Sequence, residues 1–322
     1  MTRRRIPDEV LATAHARAAA RAAGDWAEAD RLRAEIEGAG WKIADRGTDF
    51  ALTPAAPPDV AEGARTRYGS SRSVPSRFDE PSTGSATVVL IATDWPDDLA
   101  RALAGVRAHA PAGTSIVIVA DGPSPEQAAA LETLEDAEAS APAGLEVIWT
   151  SERLGHGAAA NIGLRRATGD IVILLDTSIE PTGDLVGPVV SALDDPTVAV
   201  AGGWGIVSND LRKFEDAPGG DVDAIEGYLQ AFRRHDAATR GPLDERFRFY
   251  RNLDIWWSLV LRDEGEGETP RRAVAIADPP AIRHEHRGYA SLPADELERQ
   301  SKRNFYRIID RFGSRRDLLV SR

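Results

Sequence analysis

Residues 169–181 read GDIVILLDTSIEP. Five consecutive apolar residues, Ile171 to Leu175, have the unbroken character of a strand buried on both faces. The run stops at Asp176, Thr177 and Ser178, and a turn proline follows at Pro181. A buried strand that delivers a carboxylate and two hydroxyls at its end has two readings. One is a polar turn held by Asx-type hydrogen bonds. The other is a site for a cation or a phosphate.

The same texture extends upstream. ATVVLIAT (86–93), TSIVIVAD (114–121) and GLEVIWT (144–150) read as strands, and DIVILLD (170–176) as a fourth. Between them lie the helical stretches PDDLARALAGVRAHA, PEQAAALETLEDAEAS and GHGAAANIGLRRAT. Strands alternating with helices imply parallel pairing in a sheet covered on both faces, an α/β architecture whose ligands gather at the carboxyl ends of the strands. Thr93 closes the first strand, and Asp94, Asp121 and Asp176 all fall at strand ends. Three acids on one rim exceed what packing requires.

Composition narrows the classes. The chain has 322 residues and 42% hydrophobic content, enough for one large domain and a small appendage. Acids outnumber bases 51 to 39, and a net charge of −12 makes a poor surface for nucleic acid unless the bases are segregated. With no cysteine there is neither a disulfide nor a thiolate ligand, which fits a cytoplasmic protein. MTRRRIPDEV has no apolar stretch behind its arginines, and no segment reaches the roughly 20 apolar residues of a membrane span. Peripheral association at the inner membrane face stays open.

The order of elements and five motifs together resemble the family 2 glycosyltransferases, which have a GT-A fold. TVVLIATDWPDDLARAL is similar to the family's opening strand and helix, and IVIVADGPSPE to its VVDNGSTD segment. LGHGAAANIGLRRATGDIVILLD resembles the Gly-rich turn, helix and strand that lead to the family's metal motif. VDAIEGYLQAFRR looks like the acceptor-side segment, and LDERFRFYRNLDIWWSLVLRDEG like FDE.FF.Y.ED.DL..R...G. The resemblance runs from about residue 86 to 312 and implies a nucleotide-sugar donor, an unknown glycan or lipid-linked acceptor, and a divalent metal, Mg²⁺ or Mn²⁺.

It also implies roles. Thr93, Asp121, Asn161 and Asp176 would hold the donor. Asp176, Ser178 and His286 would hold the metal, which neutralises the diphosphate as it departs. Ser178 stands where the family's DxD has its second acid, so the site is either assisted from elsewhere or less dependent on metal. AIRHEHRGYAS places His284 and His286 two apart, and HRGYAS looks like the family's H..G.S. The bland alternatives are a solvated strand end for the histidines, an ordinary turn residue for Asp121, and helix–sheet packing for Ala158 to Ala160. The aligned position of the family's catalytic base is Asn252, which takes up no proton at neutral pH. Asp254 is the remaining candidate base, with helix capping by Asn252 and Asp254 as the alternative. A GT-A scaffold that binds without catalysis is therefore the rival reading.

The amino-terminal segment is different. PDEVLATAHARAAARAAG and DWAEADRLRAEIEGAG read as a helical hairpin, and WKIADRGTDFALTP as a β-hairpin. ARAAARAAGDWAEADRLRAEIEGAGWKIADRGTDFALTP resembles the carboxyl-terminal domain of cysteinyl-tRNA synthetases, and the helical hairpin also resembles the interaction motif of the excision-repair proteins UvrB and UvrC. Arg17, Arg21, Arg31 and Arg33 are interleaved with Asp25, Glu28, Asp30, Glu35 and Glu37, the pattern of a solvated surface with i,i+4 pairs. Protein docking is the favoured role over RNA contact, and a tRNA-associated factor is the least favoured reading. The expected organisation is a module at 1–54, a Pro/Ser/Gly-rich linker at 55–85 and the GT-A-like domain at 86–322.

Overall fold

The structure, a computed structural model, describes residues 6–47, 49–138 and 144–320. The chain divides at Pro58 into two compact units. In the first, helices α1 (Asp8–Ala22) and α2 (Trp26–Gly38) precede an antiparallel ribbon of β1 (Trp41–Arg46) and β2 (Asp49–Pro54). Gly24, at φ +75°, adopts the left-handed backbone that lets the chain leave α1. The Asp25 carboxylate accepts the Glu28 N–H at 3.1 Å and caps α2. Val10, Ala14, Ile36, Trp41 and Ile43 form this unit's core. Burying a side chain such as Ile36 contributes about 1.5–3 kcal/mol. Residue 48, in the expected hairpin turn, lies outside the described residues.

The second unit opens with β3 (Val60–Glu62) and β4 (Arg65–Tyr68), followed by β5 (Gly84–Ala92), α3 (Pro96–His109), β6 (Thr114–Ala120) and α4 (Pro125–Glu138). Next come β7 (Leu145–Thr150), α5 (His156–Arg166), β8 (Gly169–Leu175), β9 (Ile179–Pro181) and α6 (Val186–Leu193). A run of short strands follows: β10 (Val198–Gly202), β11 (Gly205–Ser208), β12 (Phe214–Ala217), β13 (Gly220–Val222), β14 (Ala224–Ile225) and β15 (Leu229–Arg233). The chain finishes with α7 (Arg234–Arg240), α8 (Leu253–Arg262), β16 (Arg272–Ala275), β17 (Ala281–Arg283), α9 (Arg287–Ala290) and α10 (Ala294–Phe312). The end of the acidic helix expected to run to residue 140 lies outside the described residues.

A ten-stranded sheet runs in the order β13-β16-β10-β15-β8-β5-β6-β7-β4-β3. Its centre, β8, β5, β6, β7 and β4, is parallel, as the alternation of strands and helices predicts. Beyond β8 the sheet turns mixed, because β15 pairs antiparallel with both β8 and β10. Side chains alternate across the sheet, so Val88 and Leu90 enter the core shared with α3 and α6. Val89 enters the opposite core, shared with α5 and α8. No helix among the described residues is long and apolar enough to cross a membrane.

The stretch 55–85 differs from the linker read in the sequence, because it supplies β3 and β4 to the sheet. Strand β4, RTRY, has no apolar run to betray it. Arg65 and Arg67 instead lay their guanidinium groups over the Trp149 ring, 4.3 and 4.7 Å from its centroid. Cation–π contact and the alkyl stems do here what a valine row does elsewhere.

Candidate functional site

The carboxyl ends of β5, β6, β7 and β8 open into one cleft of about 300 Å³. Thr93, Asp121, Asp176, Ser178 and His286 all line it. Five of the residues singled out in the sequence thus meet in one hollow at the place where parallel strands end.

Asp176 follows the last apolar residue of β8, and its N–H donates to the Tyr228 carbonyl at 3.0 Å. Its Oδ1 accepts the Ser178 N–H at 2.8 Å and the Ser178 hydroxyl at 2.5 Å. This is the Asx turn anticipated as the bland reading, yet it leaves Oδ2 to face His286 Nε2 at 3.1 Å. Burial pushes the Asp176 carboxyl up, but His286 and the two Ser178 donors outweigh it and hold it below the usual range. Burial likewise pushes His286 down, and the Asp176 carboxylate more than restores it, raising the imidazole above its ordinary value. The Tyr250 ring stacks on His286 with centroids 4.3 Å apart and planes 11° from parallel.

His284 goes elsewhere. Its Nε2 lies 2.6 Å from Glu180 Oε2, and its N–H donates to the Ser178 carbonyl at 2.9 Å. β17 pairs with β9 in this segment, so Arg283 sits opposite Ile179. That pairing brings the 284–286 segment alongside Ser178.

Asp121 is 2% exposed. Its Oδ1 accepts the Leu154 N–H at 2.7 Å and its Oδ2 the Gly155 N–H at 3.0 Å. Burial raises its carboxyl, against the pull of those two donors. The expected acceptor of ribose hydroxyls is thus already engaged in shaping the turn into α5. Gly155, at φ +98°, lies so close to residue 248 that a Cβ there would stand 2.8 Å from Arg248 Cα.

Two expected residues lie off the cleft. Asn161 is buried, and its amide donates to the Leu243 carbonyl at 2.9 Å and to Glu245 Oε1 at 3.1 Å. Its Oδ1 accepts the Leu243 N–H at 2.9 Å, so it clamps α5 to the 243–245 loop and is not among the residues lining the cleft. Asp254 stands behind the wall: its Oδ2 accepts the Gly227 N–H at 2.8 Å and its Oδ1 the Ile255 N–H at 2.9 Å. Only Gly227, in front of it, lines the cleft. Burial raises the Asp254 carboxyl. Asn252 occupies the N-cap position of α8 at φ +69°, but its side chain caps nothing and donates to the Ser301 carbonyl at 3.1 Å.

Sequence reasoning missed Trp95, Arg153, His156, Arg248 and Tyr250, which also line the cleft. Arg153 pairs with Asp94 at 2.5 and 2.8 Å and brings a guanidinium to the rim. His156 begins α5, and burial lowers its pKa to about 4, so a neutral imidazole meets the cleft at neutral pH. Arg153 and His156 each follow a strand or a turn at the carboxyl rim, a signal the charge pattern alone did not carry.

The donor set suits a hard divalent cation that keeps much of its shell as water or phosphate oxygen: one carboxylate, one imidazole and one hydroxyl converge at Asp176, His286 and Ser178. Among the described residues no group of three or more His, Cys, Asp or Glu could hold a metal ion by itself.

The sequence model for "Glycosyl transferase family 2" matches residues 87–251, half of the chain. GalNAc-T7, solved with UDP, GalNAc and Mn²⁺, superposes with a TM-score of 0.56 at 17% identity, over 72% of this chain and 48% of that one. The mannosyltransferase PcManGT from Pyrobaculum calidifontis, solved with GDP-Man and Mn²⁺, gives 0.53 at 20% identity, over 76% and 71%. At these identities the likeness is one of fold, the mixed α/β GT-A fold. The cysteine–tRNA ligase of Opitutus terrae (strain DSM 11246 / JCM 15787 / PB90-1) is 50% identical over 50 residues, 16% of this chain and 11% of the ligase. The chain thus spans about half the length of GalNAc-T7 and a small fraction of the ligase.

Proposed function

The chain belongs to glycosyl transferase family 2, and on that premise we propose that it transfers a sugar from a nucleoside-diphosphate donor to an acceptor hydroxyl. The observation that carries the proposal is the Asp176–His286 pair, with the Ser178 hydroxyl on the same carboxylate, in a cleft shared with Thr93, Asp121 and Arg153. Asp176, His286 and Ser178 would hold a divalent cation, Mg²⁺ or Mn²⁺, which supplies charge neutralisation for the departing diphosphate. Arg153 brings a second positive group to the rim, and the turn braced by Asp121 aims the start of α5 at the same hollow. The neutral His156 ring can donate or accept a hydrogen bond at the α5 terminus.

The full chain incubated with UDP-, GDP- and dTDP-sugars and Mn²⁺ should release nucleoside diphosphate from one of them, and Asp176→Ala should abolish the release. Absence of release and of binding across all three classes would contradict the proposal.

A second reading, a GT-A scaffold that binds without catalysis, draws on Asn252. Its amide is tied to Ser301, and Asp254 behind it is tied to Gly227 and Ile255, so neither offers a free carboxylate. Donor binding without turnover would favour it.

For the amino-terminal module the reading is a protein-docking role. Arg31 pairs with Glu28 and Glu35, Arg33 with Glu37, and Arg17 with Asp45, which leaves those cations satisfied within the unit. Trp26 is 59% exposed on its surface. Salt-sensitive tRNA binding lost on deleting residues 1–54 would reverse that reading.

A further inference from the structure

We infer that a second hollow, bounded by α5, α7 and the 241–248 loop, is a binding site for an organic phosphate, separate from the donor cleft. It encloses about 1080 Å³, more than the cleft does. Asn161, which the cleft does not use, lies in its wall, and Arg248 borders both hollows.

The charge of the lining points to an anion. Among the described residues it consists of four arginines, Arg72, Arg165, Arg246 and Arg248, and two acids, Asp244 and Glu245. The chain as a whole carries −12, so the sign is locally reversed. Both acids are engaged. Asp244 Oδ2 pairs with Arg246 at 2.6 Å, and Glu245 Oε1 accepts from the Ser71 hydroxyl and from the Asn161 amide at 3.1 Å. Arg165 is anchored through one nitrogen, its Nε donating to the Val74 carbonyl at 2.8 Å. Among the described residues its two terminal nitrogens meet no acceptor, and Arg72, on the short helix Ser71–Ser73, meets no carboxylate. Arg166, next in sequence, shows the contrast, since Glu146 takes its guanidinium at 2.7 Å. A guanidinium fixed at Nε holds its remaining N–H groups ready for the oxygens of a phosphate.

Two further cations stand on rings of this region. Arg311 lies 5.3 Å from the centroid of Trp256, which lines the hollow, and Arg307 lies 5.8 Å from that of Phe247. Burial holds Arg307 below the ordinary guanidinium value, and the like charges of Arg246 and Arg303 push the same way, against Asp244 and Asp310. Repulsion among these arginines costs energy that a bound dianion would relieve. Phe78, Leu164 and Trp256 add an apolar lining, and the space far exceeds one phosphate ion, so the ligand carries an organic body.

The test is calorimetry on the full chain at low salt, without Mn²⁺ or donor, using hexyl phosphate and glucose 6-phosphate as probes. Hexanol and glucose serve as their uncharged counterparts. Wild type should bind at least one of the phosphates and neither neutral compound. Arg72→Gln and Arg165→Gln should each weaken that binding by about tenfold. Arg153→Gln, which removes the cation on the donor-cleft rim, should leave it within about twofold of wild type. Arg165 also secures Val74, so a melting curve accompanies that variant, whereas Arg72 is exposed and its replacement disturbs no bond of its side chain. Preference for hexyl phosphate assigns the site to a lipid phosphate, and preference for glucose 6-phosphate to a phosphorylated sugar. No binding of either phosphate by wild type, or equal binding by wild type and Arg72→Gln, overturns the inference. So does binding lost in Arg153→Gln alone, which would place the phosphate in the donor cleft. Neither donor nor metal enters these measurements, so the transferase reading stands whichever way they fall.

Discussion

Asp176 Oδ2 stands 3.1 Å from His286 Nε2, joining the end of β8 to a segment that enters from the far end of the chain. The Tyr250 ring presses flat on the same imidazole, so three distant stretches of sequence meet at one carboxylate. Each group is costly to bury without the other, because a part-buried charge needs a partner.

Removing the imidazole should therefore affect binding before it affects folding. For His286→Ala we expect donor affinity in the presence of Mn²⁺ to fall by about tenfold or more, equivalent to about 1.4 kcal/mol. Calorimetry measures the affinity, and an unchanged far-ultraviolet dichroism spectrum separates the loss from unfolding.

Asn161 should behave in the opposite way. Alanine there leaves the buried Leu243 carbonyl and N–H without their partners, a loss of about 2–4 kcal/mol. Thermal melting should show a Tm lower by roughly 5–10 °C, with donor affinity within a few-fold of wild type. A large loss of affinity with little change in Tm would return Asn161 to the donor site.

Glu226 contributes one pH-dependent part of the stability. Its folded value of about 7 lies above the ordinary 4.5, so between those values the folded chain holds a proton that the unfolded chain has released. The associated stability is complete below about pH 4.5 and is lost as the pH rises toward 7, up to about 3 kcal/mol. Glu226→Gln removes the titration, so urea unfolding should show the variant gaining on wild type between pH 5 and pH 7.5. A difference that stays flat with pH would contradict the shifted carboxyl.

How far the sequence was legible follows from where the signal lies. The run Ile171–Leu175 and the strands before it are long apolar stretches, and local periodicity finds them because both faces are buried. Asp176, Ser178, Asp121 and Thr93 are legible for the same reason, since they are where those stretches stop. Strand β4 is not legible, because arginines over Trp149 replace apolar side chains. Asn161 misleads: its neighbours are small and its helix enters the cleft, but its side chain points to the 243–245 loop. Asp254 misleads similarly, as a helix-start acid whose partner Gly227 is distant in sequence and close in space. Arg153, His156 and Tyr250 reach the cleft only through tertiary contact, which no spacing rule announces.

The most direct test is Mn²⁺ binding to the full chain, followed by the electron paramagnetic resonance signal of free Mn²⁺ with and without UDP, GDP or dTDP. Wild type should retain Mn²⁺ when the matching nucleoside diphosphate is present, and Asp176→Ala should leave the free-ion signal undiminished. Equal retention by both chains, or none by wild type with any of the three, would contradict a metal–diphosphate site built on Asp176.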